Sequence, residues 1–227
     1  HENTAHACVQ LGQVYDLMGR HEEAAAVLEE SLGIYRRTQG ERSAGVGFCH
    51  DVMGKMLLSR GRHQEALERL EEAHGIYKEV YGPDHGDVAH VLSSMGAAYR
   101  SLGQLDKALE MQQEVLRISR LVHDDGSDEV AAALGEIGTT FFALGRHAEA
   151  RAKHEEALGI FRRLHGEKHP FVSTALCRIG DIFKKQGGYE EALKLYRKAL
   201  KINRHVFGED HGEVASTLLN IGDALYC

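Results

Sequence analysis

The chain has 227 residues, 43% of them hydrophobic, with 25 glycines, two prolines and a formal net charge of −7. That balance argues against broad binding to a nucleic-acid backbone, and with no run of 18 apolar residues no membrane-spanning helix is expected. The opening "HENTAHACVQLG" lacks the charged-then-apolar order of a signal peptide and has no initial Met, so an excised fragment is expected.

In chain order the elements recur at a fixed interval. Gly12, Gly54, Gly96, Gly138, Gly180 and Gly222 each lie 42 residues apart, and so do Gly19, Gly61, Gly103, Gly145 and Gly187. The same interval separates Ala24, Ala66, Ala108, Ala150 and Ala192, the isoleucines 34, 76, 118, 160 and 202, and the valines 46, 88, 130, 172 and 214. Several ladders in one register define a repeat array. Its units run 1–42, 43–84, 85–126, 127–168 and 169–210, followed by a single unpaired helix A over 211–227.

Each unit reads as two helices. In the third, helix A is predicted over about 87–102, with Val88, Leu92, Met95 and Tyr99 on one stripe. "SLGQ" ends it, since Gly103 enters the left-handed region without steric cost. Helix B follows over about 105–122, carrying Ala108, Leu109, Val115, Leu116 and Ile118. Gly96 sits inside helix A, where it costs about 1 kcal/mol against Ala. A glycine kept there in every unit implies that a neighbouring helix crosses too closely for a side chain, with Ala108 and its equivalents matching it on helix B.

The linkers recur as well. "GPDHGDVA" (82–89), "GEKHPFVS" (166–173) and "GEDHGEVA" (208–215) hold a helix-stopping glycine and an acid placed for the next helix's positive end. Pro170 stands at a helix start, where its missing N–H is harmless. The second and fourth linkers lose the His and keep Ser43 and Ser127 in its place. On the last helix the apolar face Val214, Leu218, Ile221 and Leu225 is expected to cap the fifth unit or to stand exposed.

Catalytic patterns are lacking. HExxH and GxSxG are absent, and the glycines are spaced singly within helices instead of clustering as a phosphate cradle. Of the fifteen histidines, His85, His169 and His211 recur in linkers and His21, His63 and His147 at the start of helix B, as structural positions would. Cys8, Cys49, Cys177 and Cys227 form no CxxC, and a chain of this length needs no disulfide staples, so free thiols in a reduced, intracellular (cytoplasmic) setting are expected. No catalytic group, metal or cofactor is expected.

The mid-helix glycine, the aromatic three residues on, the glycine seven on and the alanine twelve on resemble the tetratricopeptide repeat, whose unit is about 34 residues. The 42-residue interval with "GxxHxxVA" linkers resembles the kinesin-light-chain type, each helix being about one turn longer. The resemblance covers nearly the whole chain. It implies an all-α fold, a right-handed superhelical α-solenoid of antiparallel helix pairs. It further implies that the A helices line a concave surface able to take a peptide.

On that reading the groove candidates are His6, Gln10, Asp51, Lys55, His90, Ser94, Arg100, Glu136, Thr139, Phe142, Arg178, Asp181, Lys184, Lys185 and Asn220. Kinesin-light-chain-type repeats usually carry Asn-Asn in the pair ahead of the mid-helix glycine, and this chain keeps only Asn220 there. Arg178, Lys184 and Lys185 form a basic trio suited to an acidic segment near repeat 5. Phe48, Leu58 and Phe142 are apolar-anchor candidates. Three functions are open: a non-catalytic scaffold binding a partner's peptide, a regulatory arm of a larger protein, and weak self-association through the C-terminal helix.

Overall fold

The computed structural model describes residues 2–226. Those residues form eleven α-helices and no strand. The chain divides into two compact units, His1–Val122 and His123–Cys227.

In the first unit α1 (Glu2–Leu17), α3 (Ala44–Ser59) and α5 (Gly86–Ser101) are A helices, and α2 (His21–Gln39), α4 (His63–Tyr81) and α6 (Leu105–Val122) are B helices. Each A helix packs on the B helix that follows it, α2 packs on α3 and α4 on α5. Consecutive A helices also touch, α1 with α3 and α3 with α5. Val9, Leu28, Leu32, Val46 and Ile76 centre one apolar cluster, and Leu70, Val88, Val91 and Ile118 a second.

The second unit holds α7 (Asp128–Ala143), α8 (His147–His165), α9 (Pro170–Lys185), α10 (Tyr189–Phe207) and α11 (Gly212–Tyr226). Here α7 packs on α8 and touches α9, α8 and α10 both pack on α9, and α10 packs on α11. Leu158, Val172, Leu176, Ile179 and Ile202 form its core.

The apolar ladders are the positions the fold seals. All five alanines are fully buried, and the five valines are at most 2% exposed. Between α5 and α6 the chain turns through Gly103 at φ +72°. Gly103 N–H donates to Arg100 O at 3.0 Å and Gln104 N–H to Tyr99 O at 2.9 Å, a Schellman closure of the helix end.

The linker histidines cap helices. Nδ1 of His85, His169 and His211 accepts the backbone N–H of Asp87, Phe171 and Glu213 at 3.2–3.3 Å. Each ring also stacks on the last ring of the preceding helix B: Tyr81 on His85, His165 on His169 and Phe207 on His211, with centroids 4.2–4.4 Å apart. Where the linker has Ser127, its Oγ accepts from Val130 N–H at 3.3 Å instead. Pro170 takes the first turn of α9 directly after the His169 cap. His169→Ala is expected to cost about 1 kcal/mol, the usual worth of a lost N-cap. His169→Ser should recover most of that loss in a urea melt followed by circular dichroism.

Helix α11 buries only part of the stripe read in the sequence, with Val214 sealed and Ile221 half-buried against the cluster of Ala192, Tyr196 and Ala224. Val214, Thr217 and Ala224 are buried, whereas Leu218 and Leu225 are 44% and 64% exposed. The reason lies in the register. Leu92, Leu134 and Leu176, which share the place of Leu218, are buried on A helices that pack against their own B helix. Among the described residues α11 packs on α10, and Asn203 Nδ2 ties the two by donating to Thr217 Oγ1 at 2.9 Å.

Candidate functional site: the faces of the A helices

Three A helices carry the candidates of the first unit. His6 on α1 stacks with Phe48 on α3 at 6.1 Å, and Gln10 Nε2 lies 3.2 Å from His6 Nε2. Phe48 and Leu58 both rest half-buried against core clusters. Asp51 is buried and lies under Lys55, whose Nζ donates to Oδ2 at 2.6 Å, so this pair presents the lysine outward. His90 is exposed, and Ser94 and Arg100 are half-buried on α5.

In the second unit Thr139 bonds its own helix through Gly135 O at 3.0 Å, and Glu136 beside it is half-buried. A cleft of about 650 Å³ opens among Phe142, Asp181, Lys184, Lys185, Tyr189, Gly222, Asp223 and Tyr226. It thus brings together four of the predicted residues, Phe142, Asp181, Lys184 and Lys185. Arg178 stands outside the lining, exposed and 3.9 Å from Asp181. Asn220 is half-buried on α11. Cys227, in register with Lys185, lies outside the described residues.

Electrostatics within the cleft are uneven. Asp181 accepts the Tyr196 hydroxyl at 2.7 Å, and Lys184 Nζ lies 3.5 Å from Asp223. Lys185 is exposed, and no anionic partner to it is found among the described residues. The arrangement offers one uncompensated cation beside three aromatic rings, which suits recognition of a carboxylate next to an apolar group. Burial, then Asp181, pushes the Cys177 thiol up to about 11, so it stays protonated at neutral pH.

Tyr189 escaped the sequence reading, although a signal was present. It opens a B helix at the position where three other units have His21, His63 and His147.

Paired helices repeating every 42 residues, each packed on the next within its unit, define a helical-repeat solenoid. The tetratricopeptide repeat model matches residues 48–120, 129–205 and 172–227, and a second model of that description matches residues 5–38. The chain therefore belongs to the tetratricopeptide repeat family.

Among solved structures it is similar to the nearly identical tetratricopeptide-like repeats of a putative kinesin light chain from Podosopora anserina. There the identity is 20%, the match covers 91% of this chain and 98% of that one, and the TM-score is 0.78. BtubC (BKLC) from P. vanneervenii is 22% identical over 88% of this chain and 79% of its own, with a TM-score of 0.72. A signal transduction ATPase with numerous domains from Pyrococcus horikoshii, which has a tetratricopeptide repeat sensor, is 15% identical. That match covers 99% of this chain and 33% of the ATPase, with a TM-score of 0.79. Comparison with the curated proteins gave no match. The fold these share suggests a protein–protein interaction scaffold. No helix among the described residues is long and apolar enough to cross a membrane.

Proposed function

We propose that this chain is a non-catalytic interaction scaffold that receives a peptide segment of a partner on its A-helix faces. In this reading the repeats run 1–42, 43–84, 85–126, 127–168 and 169–210, with 211–227 as the unpaired helix A, in a reduced cytoplasmic setting. An acidic stretch of the partner meets repeat 5. The observation that carries this is the second unit's cleft, where Lys185 stands uncompensated beside Phe142, Tyr189 and Tyr226.

The test is selection from an unbiased peptide library, followed by affinity measurement. Enriched peptides should carry Asp or Glu beside an apolar or aromatic residue. Reversing both charges, Lys184→Glu with Lys185→Glu, should weaken them roughly tenfold while helicity is retained, since tenfold corresponds to about 1.4 kcal/mol. Raised salt should weaken wild-type binding in the same direction. Unchanged affinity in the reversed variant would remove the cleft from this role.

A second reading, a regulatory arm of a larger protein, is favoured by the likeness to the repeat sensor of the Pyrococcus horikoshii ATPase. It predicts no enriched motif and a folded monomer. The exposed Leu218 and Leu225 support weak self-association through α11. That would appear in the same samples as a mass rising with concentration.

A further inference from the structure

A second site lies in the first unit, between α2, α3 and α4, away from the faces discussed above. It arises from two departures from the repeat. The helix A position held by Tyr15, Tyr99, Phe141 and Phe183 is Leu57 in the second repeat. The helix B position held by Leu67, Leu109, Arg151 and Leu193 is Ala25 in the first. Two short side chains face one another where a ring and a long side chain stand elsewhere. Beside them opens a pocket of about 240 Å³, floored by Leu28, Met53, Met56 and Leu57. A cavity of about 150 Å³ lined by apolar side chains already holds benzene, so the volume is ample for one ring.

The polar groups that serve the missing ring are still in place. In the other repeats each ring has a cation over its face: Arg20 over Tyr15 and Arg146 over Phe141 at 4.4 Å, Lys107 over Tyr99 at 5.3 Å, and Arg151 over Phe183 at 5.4 Å. Arg62 borders the pocket and occupies the register position of Arg20 and Arg146. It is held by the same fork three residues on, Arg62 to Glu65, as Arg20 to Glu23 and Arg146 to Glu149. In the third repeat the Tyr99 hydroxyl donates to Glu71 at 3.4 Å. Glu29 is the register equivalent of Glu71 and also borders the pocket. Arg69 holds one of its oxygens at 3.1 Å, which leaves the other to accept.

We propose that this pocket takes an aromatic side chain, a tyrosine, from a partner polypeptide. The ring lies on Leu57 beneath the Arg62 guanidinium, a cation–π arrangement, and its hydroxyl donates to Glu29. The chain's own Tyr15 and Tyr99 are the templates for that pose. The proposal goes beyond the A-helix reading and uses none of its residues.

N-acetyltyrosinamide is the probe, titrated into the whole chain with Met and Leu methyl groups observed by NMR. Saturable shifts are expected at Met53, Met56 and Leu57, with N-acetylleucinamide producing roughly tenfold weaker ones. Leu57→Tyr restores the chain's own ring and should abolish the response while keeping or raising the melting temperature. Ala25→Leu blocks the pocket from its other wall and should do the same, which keeps the test valid if one variant folds poorly. Lys184→Glu with Lys185→Glu should leave the titration unchanged, so failure of the acidic-peptide reading and failure of this one are separable. Absence of shifts at the methyl groups of these three residues, equal response to the leucine compound, or shifts that survive in both pocket variants would overturn the proposal. Binding of p-cresol without N-acetyltyrosinamide would overturn it too, since a backbone-borne ring would then not fit.

Discussion

Gly180→Leu is expected to destabilise the second unit by about 3 kcal/mol, at the upper end of the usual cost of overpacking. A β-carbon at Gly180 would stand 2.6 Å from Tyr196 Cε1 and 3.0 Å from Cδ1 and Cζ. Tyr196 is fully buried, and its hydroxyl is tied to Asp181 at 2.7 Å. The ring therefore has no free end to swing away, and moving it also breaks a hydrogen bond worth about 1 kcal/mol. The gain in helix propensity on losing a glycine, about 1 kcal/mol, offsets only part of this. Gly159→Ala is the control. That glycine lies inside α8 with nothing within 4 Å of its added β-carbon, so the same gain should appear unopposed. Urea midpoints should move in opposite directions for the two variants. A rise in both would mean that close approach is not why helix A keeps a glycine, and a fall in both would mean that the propensity gain set against the overpacking is not available.

The same comparison shows what the repeat pattern conveyed and what it hid. The recurring mid-helix glycine implied a close crossing, and an added β-carbon is indeed met at 2.6–2.9 Å in four of the six places, Gly12, Gly54, Gly138 and Gly180. Gly96, the example drawn from the sequence, is looser: its nearest atom is Gln112 Cγ at 3.3 Å. The partner that sets the tightness is the helix B residue four after the ladder alanine, which runs Leu28, Leu70, Gln112, His154 and Tyr196. This position varies, so no ladder marked it. At Gly222 nothing lies within 4 Å, because the other ladder glycines face the helix B that follows them and among the described residues none follows α11.

Helix limits were legible because the signals for them are local. A stop glycine, a linker acid and an apolar period act within a few residues, and helix starts and stops recur at the 42-residue interval. The candidate site was less legible, because its character depends on pairs distant in sequence. Asp51 reads as an exposed acid, yet it is buried under Lys55. Lys184 reads as free charge, yet Asp223 lies 39 residues on and 3.5 Å away. The linker histidines were recognisable as structural by their register. That they cap through Nδ1 while stacking on the preceding helix's last ring is a property of the folded linker that spacing alone does not carry.

The second large effect is a loss of stability on mild acidification, governed by His154. This residue fills a place in α8 that is Leu28 and Leu70 in other repeats, and it is 3% exposed. Burial, then the nearby Arg178, pushes its pKa from the ordinary 6.5 down to about 4. The unfolded chain therefore binds the proton first. Stability from keeping this ring neutral is fully present above about pH 6.5 and drains away as the pH falls towards 4. At about 1.4 kcal/mol per pH unit, roughly 3 kcal/mol is at stake. His154→Leu keeps an apolar side chain of the kind that already packs against Gly12 and Gly54, and it removes the titrating group. Its urea midpoint should exceed that of the wild type at pH 4.5 by much more than at pH 7.5. His50, buried in the first unit and likewise lowered by burial and by Arg69, remains in both proteins and leaves a shared acid sensitivity. The difference between the two proteins isolates His154. Parallel loss in both from pH 7.5 to 4.5 would mean that His154 takes up its proton in the folded chain without penalty, so that its burial does not set the acid limit of the second unit.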